Sequence, residues 1–173
     1  FPSFDGLEIP AIYYQPHQAS GDNKVPALVW VHGGPGGQSR QGFSPLIQYL
    51  GNHGYAVLAV DVRGQPGDSV DTAMYSSGHV RGWMTKGILD ENEYYYRAVY
   101  VDAVRALDFL AAREEVDMAR VGLNGFSQGG GLSLAVAALD SRPALTMPGM
   151  PFLCHFERPL EISKEYPYWE FAE

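Results

Sequence analysis

The sequence predicts an α/β fold with a doubly wound, mostly parallel sheet, on three observations. The blocks Val25 to Val31 and Tyr55 to Val62 are apolar without alternation, which marks strands buried on both faces, as parallel sheets require. Segments of helical spacing lie between such blocks, so β and α elements alternate. The composition agrees: 46% apolar and 18% charged residues exclude disorder, and 20 Gly with 12 Pro are too many turn formers for a helical bundle.

Ile9 to Tyr14 reads as a short strand closed by Pro16 and His17. The polar run Gln18 to Lys24 is a turn before Val25 to Val31, so the two strands are expected to form a hairpin. The second strand ends at the breaker cluster His32-Gly33-Gly34-Pro35-Gly36-Gly37. Phe43, Leu46, Ile47 and Leu50 then fall at helical spacing, with Gly54 as the stop and Tyr55 to Val62 as the next strand. Arg63 to Asn92 is rich in Gly, Ser and Asp and reads as a long ordered loop with room for one short helix. Connections of that length usually line a site. Tyr94 to Arg113 carries a 3.6-residue apolar repeat and predicts the long crossover helix, packed by Tyr94-Tyr95-Tyr96. Arg120 to Phe126 is a strand, Gly129 to Leu139 a helix, Ala144 to Met150 a fourth parallel strand, and Pro159 to Glu165 part of a last helix. No repeat or linker interrupts the 173 residues, which read as one domain able to bury about 70% of its unfolded surface.

Charge and length exclude several classes of partner. The net charge is −8 and no segment gathers Lys and Arg, which argues against nucleic acid. No apolar run approaches the ~20 residues that cross a bilayer, and no leader opens the chain, so no membrane is expected and a cytoplasmic location is the default. The single cysteine, Cys154, excludes an internal disulfide and fits a reducing compartment. The chain opens on Phe1 rather than Met, so it is expected to be processed or cut from a longer one.

Gly125-Phe126-Ser127-Gln128-Gly129 matches G-x-S-x-G. The pattern alone is weak, and an ordinary serine in a glycine-rich turn is the bland reading. Its setting between an apolar strand and an Ala-rich helix gives it weight, because small flanking residues permit the sharp turn that lifts a serine hydroxyl above the sheet. Ser127 is then the candidate nucleophile. The helix N-terminus favours negative charge, and the Gln128 N–H is one candidate oxyanion donor. The His32 to Gly37 loop is placed to bring a second, for which Gly34 is the candidate because a residue without Cβ lets the main chain approach a reacting carbonyl. No Lys-Ser or Lys-Thr follows either glycine cluster, and neither fits G-x-G-x-x-G, so phosphate cradling is disfavoured.

Serine needs a base, and the base an orienting carboxylate. Asp140 lies about 18 Å along the helix from Ser127, towards the wrong end of the sheet, and cannot complete a triad. His155 is the one histidine after Ser127 and reads as structural or surface rather than as the base. His32 reads as a hydrogen-bonded loop anchor. His17, His53 and His79 lack metal-ligand spacing, so no metal is expected. Asp61 and Arg63 are expected to hold the following loop by pairing with nearby backbone.

From about Asp61 to the end, the motifs Arg63-Gly64-Gln65, Ser77-Gly78-His79-Val80-Arg81-Gly82, Gly125 to Gly130 and Pro151-Phe152-Leu153-Cys154 resemble the acetyl xylan esterase and cephalosporin C deacetylase family. From about Gly6 to Arg63, above all Val29 to Gln38, the chain resembles the catalytic domain of the prolyl oligopeptidase family. Both families have the α/β-hydrolase fold, and the two resemblances change over at the shared Asp-x-Arg-Gly strand end. Such a mosaic suggests recombination. The resemblance implies Ser127 as nucleophile with the Gln128 and Gly34 amides as oxyanion donors. Gly34 stands where the esterases usually have Tyr, Pro66 where they usually have Gly, and His155 where they commonly have Asp. It also implies that the catalytic Asp and His come from strands beyond residue 173, so the sheet is expected to lack its last C-terminal strands.

The expected function is serine ester hydrolysis that removes small acyl groups such as acetyl from sugars or related alcohols, without a cofactor. One alternative is a peptidase acting after proline. Another is a catalytically silent half-hydrolase whose apolar edge at Ala144 to Met150 recruits a second copy or a completing chain.

Overall fold

The computed structural model describes residues 1–76 and 82–171. Five strands form one sheet: β1 (Ala11–Tyr14), β2 (Val25–Val31), β3 (Ala56–Val60), β4 (Val116–Phe126) and β5 (Leu145–Gly149). They lie in the order β1-β3-β2-β4-β5. β2, β3, β4 and β5 run parallel, and β1 pairs antiparallel with β3. The sequence expected a β1–β2 hairpin, and the structure corrects this. The turn at Ser20 to Asn23 closes on itself through reciprocal backbone bonds, and β1 joins β3 instead, with Ala11 opposite Val60 and Tyr14 opposite Val57.

Among the described residues four α-helices complete the fold, α1 (Pro45–Asn52), α2 (Tyr95–Ala111), α3 (Gln128–Leu139) and α4 (Glu157–Ile162), with a short 3-10 turn at Tyr168–Phe171. Ser44 caps α1 by accepting from the Ile47 N–H, Pro45 fills the first helical position, and Gly54 leaves the helix at φ 84°. That cap leaves Phe43 outside the helix and 81% exposed. Between β3 and α2 no helix forms among the described residues.

Period-2 alternation gives the sheet two buried faces. Ala27, Val29 and Val31 of β2, with Leu58 and Val60 of β3 and Val121 and Leu123 of β4, join Val99, Leu107 and Leu110 of α2 and Leu132 and Val136 of α3 in the main core. Leu28, Val57 and Ala59 are buried outside that cluster, as is Ile47 of α1, which packs on β3. Helices therefore cover both faces, as the doubly wound reading requires. β4 begins four residues before the predicted start, and its pairing with β2 is irregular between Val116 and Val121. There Asp117 turns back to accept the Ala119 N–H.

Candidate active site

β4 delivers the chain to Ser127 at the carboxyl edge of the sheet, and α3 begins at the next residue. Ser127 sits at φ 55° and ψ −113°, a conformation that L-residues rarely adopt. Its main chain is held on every side. The Ser127 N–H donates to Gly149 O at 2.8 Å, and Ser127 O accepts from Phe152 N at 2.9 Å and Gly131 N at 3.1 Å. The hydroxyl makes no hydrogen bond among the described residues, and the residue is half-buried. This is a strained strand-to-helix turn with its side chain left free, as the G-x-S-x-G reading predicted.

The glycines around Ser127 allow the close packing that the turn needs. A Cβ on Gly125 would lie 2.2 Å from Gly129 C, and one on Gly129 would lie 2.1 Å from Val31 O. The loop after β2 lies against the elbow: a Cβ on Gly33 would be 3.8 Å from Ser127 Cβ. Gly34 follows, and the structure brings it to the side chain of Gln128, where a Cβ would be 2.9 Å from Nε2. Among the described residues, nothing accepts from the Gln128 or Gly34 N–H.

A buried polar network ties these pieces together. Gln65 and Gln128, 3% and 0% exposed, form a reciprocal amide pair with N···O distances of 2.8 and 3.1 Å. Gln65 Oε1 also accepts from the Gly36 N–H at 2.9 Å, and Gln65 Nε2 donates to the Tyr95 hydroxyl. Tyr95 in turn donates to Arg63 O, and Tyr96 donates to Gln128 Oε1 at 3.0 Å. Burial pushes both tyrosines above their ordinary pKa, so they remain donors. The sequence placed the tyrosine run as packing and Gln65 only within a family motif. Their joint role was missed because buried amides 63 residues apart leave no periodic signal.

The histidines are otherwise engaged. His32 Nδ1 donates to Gly33 O at 2.8 Å, and Nε2 accepts from the Val62 N–H at 3.2 Å. Both nitrogens are used, in a neutral tautomer fixed by those partners. Burial holds the ring's pKa below the ordinary histidine value. It is the loop anchor the sequence predicted. His155 is exposed, with Nδ1 accepting from Arg158 N at 3.3 Å. Asp140 caps α3 and pairs with Arg142 at 2.5 Å. His79 and the rest of 77–81 lie outside the described residues. Among those described, no group of three His, Cys, Asp or Glu could hold a metal ion.

Asp61 holds backbone, but that of the loop after β2 rather than the loop that follows it, accepting from the Ser39 N–H. Arg63 does not. Instead of pairing with backbone, its guanidinium, 1% exposed, binds the carboxylates of Asp102 and Asp5. Two residues of the C-terminal segment bond to the site's loops. Tyr166 donates to Pro35 O at 3.1 Å, and Glu170 Oε2 accepts from the Trp83 and Met84 N–H groups at 2.9 and 2.6 Å.

The family model described as acetyl xylan esterase (AXE1) matches residues 1–173. The chain belongs to the acetyl xylan esterase family. An acetyl xylan esterase from Paenibacillus sp. R4 superposes with a TM-score of 0.88 at 47% identity, covering 98% of this chain and 53% of that one. The acetyl esterase Axe7A of Xylanibacter ruminicola is 31% identical over 109 residues, 61% of this chain and 25% of its own length. Human dipeptidyl peptidase 8 is 29% identical over 143 residues, 78% of this chain and 14% of that protein. The two-part resemblance read from the motifs is thus met on both sides, by esterases and by peptidases of the prolyl oligopeptidase kind. The chain spans about half the length of the solved esterase and a quarter of Axe7A. Among the described residues of this family member, no helix is long and apolar enough to cross a membrane.

Proposed function

We propose that the protein is a serine carboxylic-ester hydrolase that removes small acyl groups, acetyl above all, from sugars or related alcohols through an acyl-enzyme on Ser127. One observation carries the reading: Ser127 stands in a strained turn with its hydroxyl unbonded among the described residues, next in sequence to Gln128 and packed on by the loop that carries Gly33 and Gly34. The names of the esterase relatives supply the substrate class.

Ser127 Oγ attacks the acyl carbon, and its proton passes to a histidine base that the described residues do not supply. The carbonyl oxygen gains the charge and accepts from the Gln128 and Gly34 amides, at the N-terminus of α3 where the helix dipole favours an anion. Collapse breaks the bond to the alcohol oxygen, which takes the proton from the base. Water repeats the sequence and releases the carboxylic acid. Each oxyanion donor of this kind is worth about 100- to 1,000-fold in kcat.

The test is a fluorophosphonate followed by intact mass, with p-nitrophenyl acetate, acetylated xylo-oligosaccharides and a proline p-nitroanilide assayed in parallel. One label confined to Ser127, with acetate released from the first two substrates, is expected. Cleavage of the proline substrate alone would favour a peptidase. Absence of label and turnover would favour a silent scaffold that needs a second copy or a completing chain.

A further inference from the structure

We propose that Gln65 is a positioning residue for the ester hydrolysis assigned above: its side chain sets the Gly34 amide and the Gln128 amide at a common oxyanion point. The inference rests on that reading of Ser127 and adds a residue that touches no substrate atom.

Two separate pieces of chain must present their amides to one oxygen, the loop after β2 and the first turn of α3. They pack closely through glycines on both sides, Gly33 and Gly34 of the loop and Gly129 of the helix, where no side chain interlocks to fix the register. Gln65 supplies the link. Its Oε1 accepts from Gly36 N, two residues past Gly34, and from Gln128 Nε2, while its Nε2 donates to Gln128 Oε1. One planar amide therefore fixes loop and helix to each other. A Cβ on Gly34 would lie 2.9 Å from Gln65 Oε1 and 2.9 Å from Gln128 Nε2, so the loop rests directly on the pair. Gln65 is itself held from behind by the Tyr95 hydroxyl, which anchors to Arg63 O. The pair is 3% and 0% exposed, so water cannot take over either role.

The consequence is a rate effect rather than a binding effect. An oxyanion point blurred by about 1 Å costs on the order of 100-fold in the chemical step. The ground-state ester does not depend on it in the same measure.

Two readouts test this on the whole protein. Hydrogen exchange of the Gly36 amide, followed by NMR, needs no turnover. Hydrolysis of p-nitrophenyl acetate separates kcat from KM. In Gln65→Leu, Gly36 exchange is expected to speed up at least tenfold, and kcat to fall about 100-fold with KM within about twofold. Gln65→Glu keeps the Oε1 acceptor, so Gly36 protection should survive, while the lost donor to Gln128 lowers kcat by an intermediate factor. A folded Gln65→Leu with native Gly36 exchange, or with native kcat and a raised KM, overturns the proposal. If Gln65→Leu does not fold, native kcat in Gln65→Glu overturns it. A wild-type protein that hydrolyses no ester would overturn the functional reading alone, since the exchange result would still decide whether Gln65 holds the loop.

Discussion

Arg63 and Asp102 meet as a two-point ion pair in the interior, Nε to Oδ2 at 2.5 Å and Nη2 to Oδ1 at 2.7 Å, with the arginine 1% and the aspartate 3% exposed. Burial works against the Arg63 charge, but the carboxylates of Asp102 and Asp5 outweigh it and keep the guanidinium protonated. The pair joins the middle of α2 to the residue that begins the site's long loop. Arg63 O then receives the Tyr95 hydroxyl, two bonds from the Gln65–Gln128 pair. A structural ion pair thereby supports the geometry around Ser127. Asp102→Ala leaves a buried cation whose remaining partners among the described residues are Asp5, Ser3 and the Phe4 ring. It is expected to destabilise the protein by about 3–5 kcal/mol in urea unfolding, and a loss under about 1 kcal/mol would contradict the assignment.

The first turn of α3 makes a steric prediction. A Cβ on Gly131 would lie 1.7 Å from Phe152 O, and one on Gly129 2.1 Å from Val31 O. Both neighbours are backbone, which cannot swing aside as a side chain can. Gly129→Ala and Gly131→Ala are each expected to exceed the ordinary overpacking cost of about 1–3 kcal/mol or to abolish folding. Gly51→Ala in α1, with nothing within 4 Å, is expected instead to raise stability by about 0.5–1 kcal/mol. Equal effects at Gly51 and Gly129 in thermal melts would refute the packing argument.

What the sequence revealed follows from where the signal is local. β3 is buried at all five positions, so an uninterrupted apolar run was enough to find it. The elbow was legible because a short motif fell between two readable elements. The partner of β1 was not, because a four-residue strand beside a turn looks like half a hairpin, and its pairing with β3 spans more than forty residues. The site's second layer was equally hidden. A glutamine in a glycine-rich loop reads as exposed, and only the folded chain shows Gln65 buried against Gln128. Arg63 misled in the same way: its carboxylate partners lie 39 and 58 residues away.

His32 predicts a pH dependence of stability with a definite sign. Burial lowers its folded pKa below the ordinary value of ~6.5. Between the two values the unfolded chain binds more protons, so stability rises with pH across that window. The contribution is complete above about pH 6.5 and is lost as pH falls towards the folded value. Protonation would also remove the Nε2 acceptor of the Val62 N–H. Asp5, held below the carboxylate range by its hydrogen bond to Arg63, loses its share only below about pH 4, which separates the two effects. Urea midpoints measured from pH 7.5 to 5 are expected to fall in the wild type and to stay flatter in His32→Asn. Parallel slopes would remove His32 as the cause.

Ser127 carries the last prediction, because its backbone and its hydroxyl make opposite demands. At φ 55° and ψ −113° any residue with a Cβ is strained, typically by about 1–3 kcal/mol, and glycine is not. The hydroxyl has no partner among the described residues, so removing it forfeits no hydrogen bond; the bonds Ser127 does make are through its backbone. Ser127→Ala should therefore match the wild type within about 0.5 kcal/mol. Ser127→Gly should exceed Ser127→Ala by whatever strain remains after glycine's added chain entropy of about 0.5–1 kcal/mol. Both should lose fluorophosphonate labelling. A position that gains stability when its side chain is deleted is one kept for chemistry rather than folding. Urea titration of the three proteins decides it: a Ser127→Gly variant clearly less stable than Ser127→Ala would mean that the turn is relaxed and that the strain does not belong to the nucleophile.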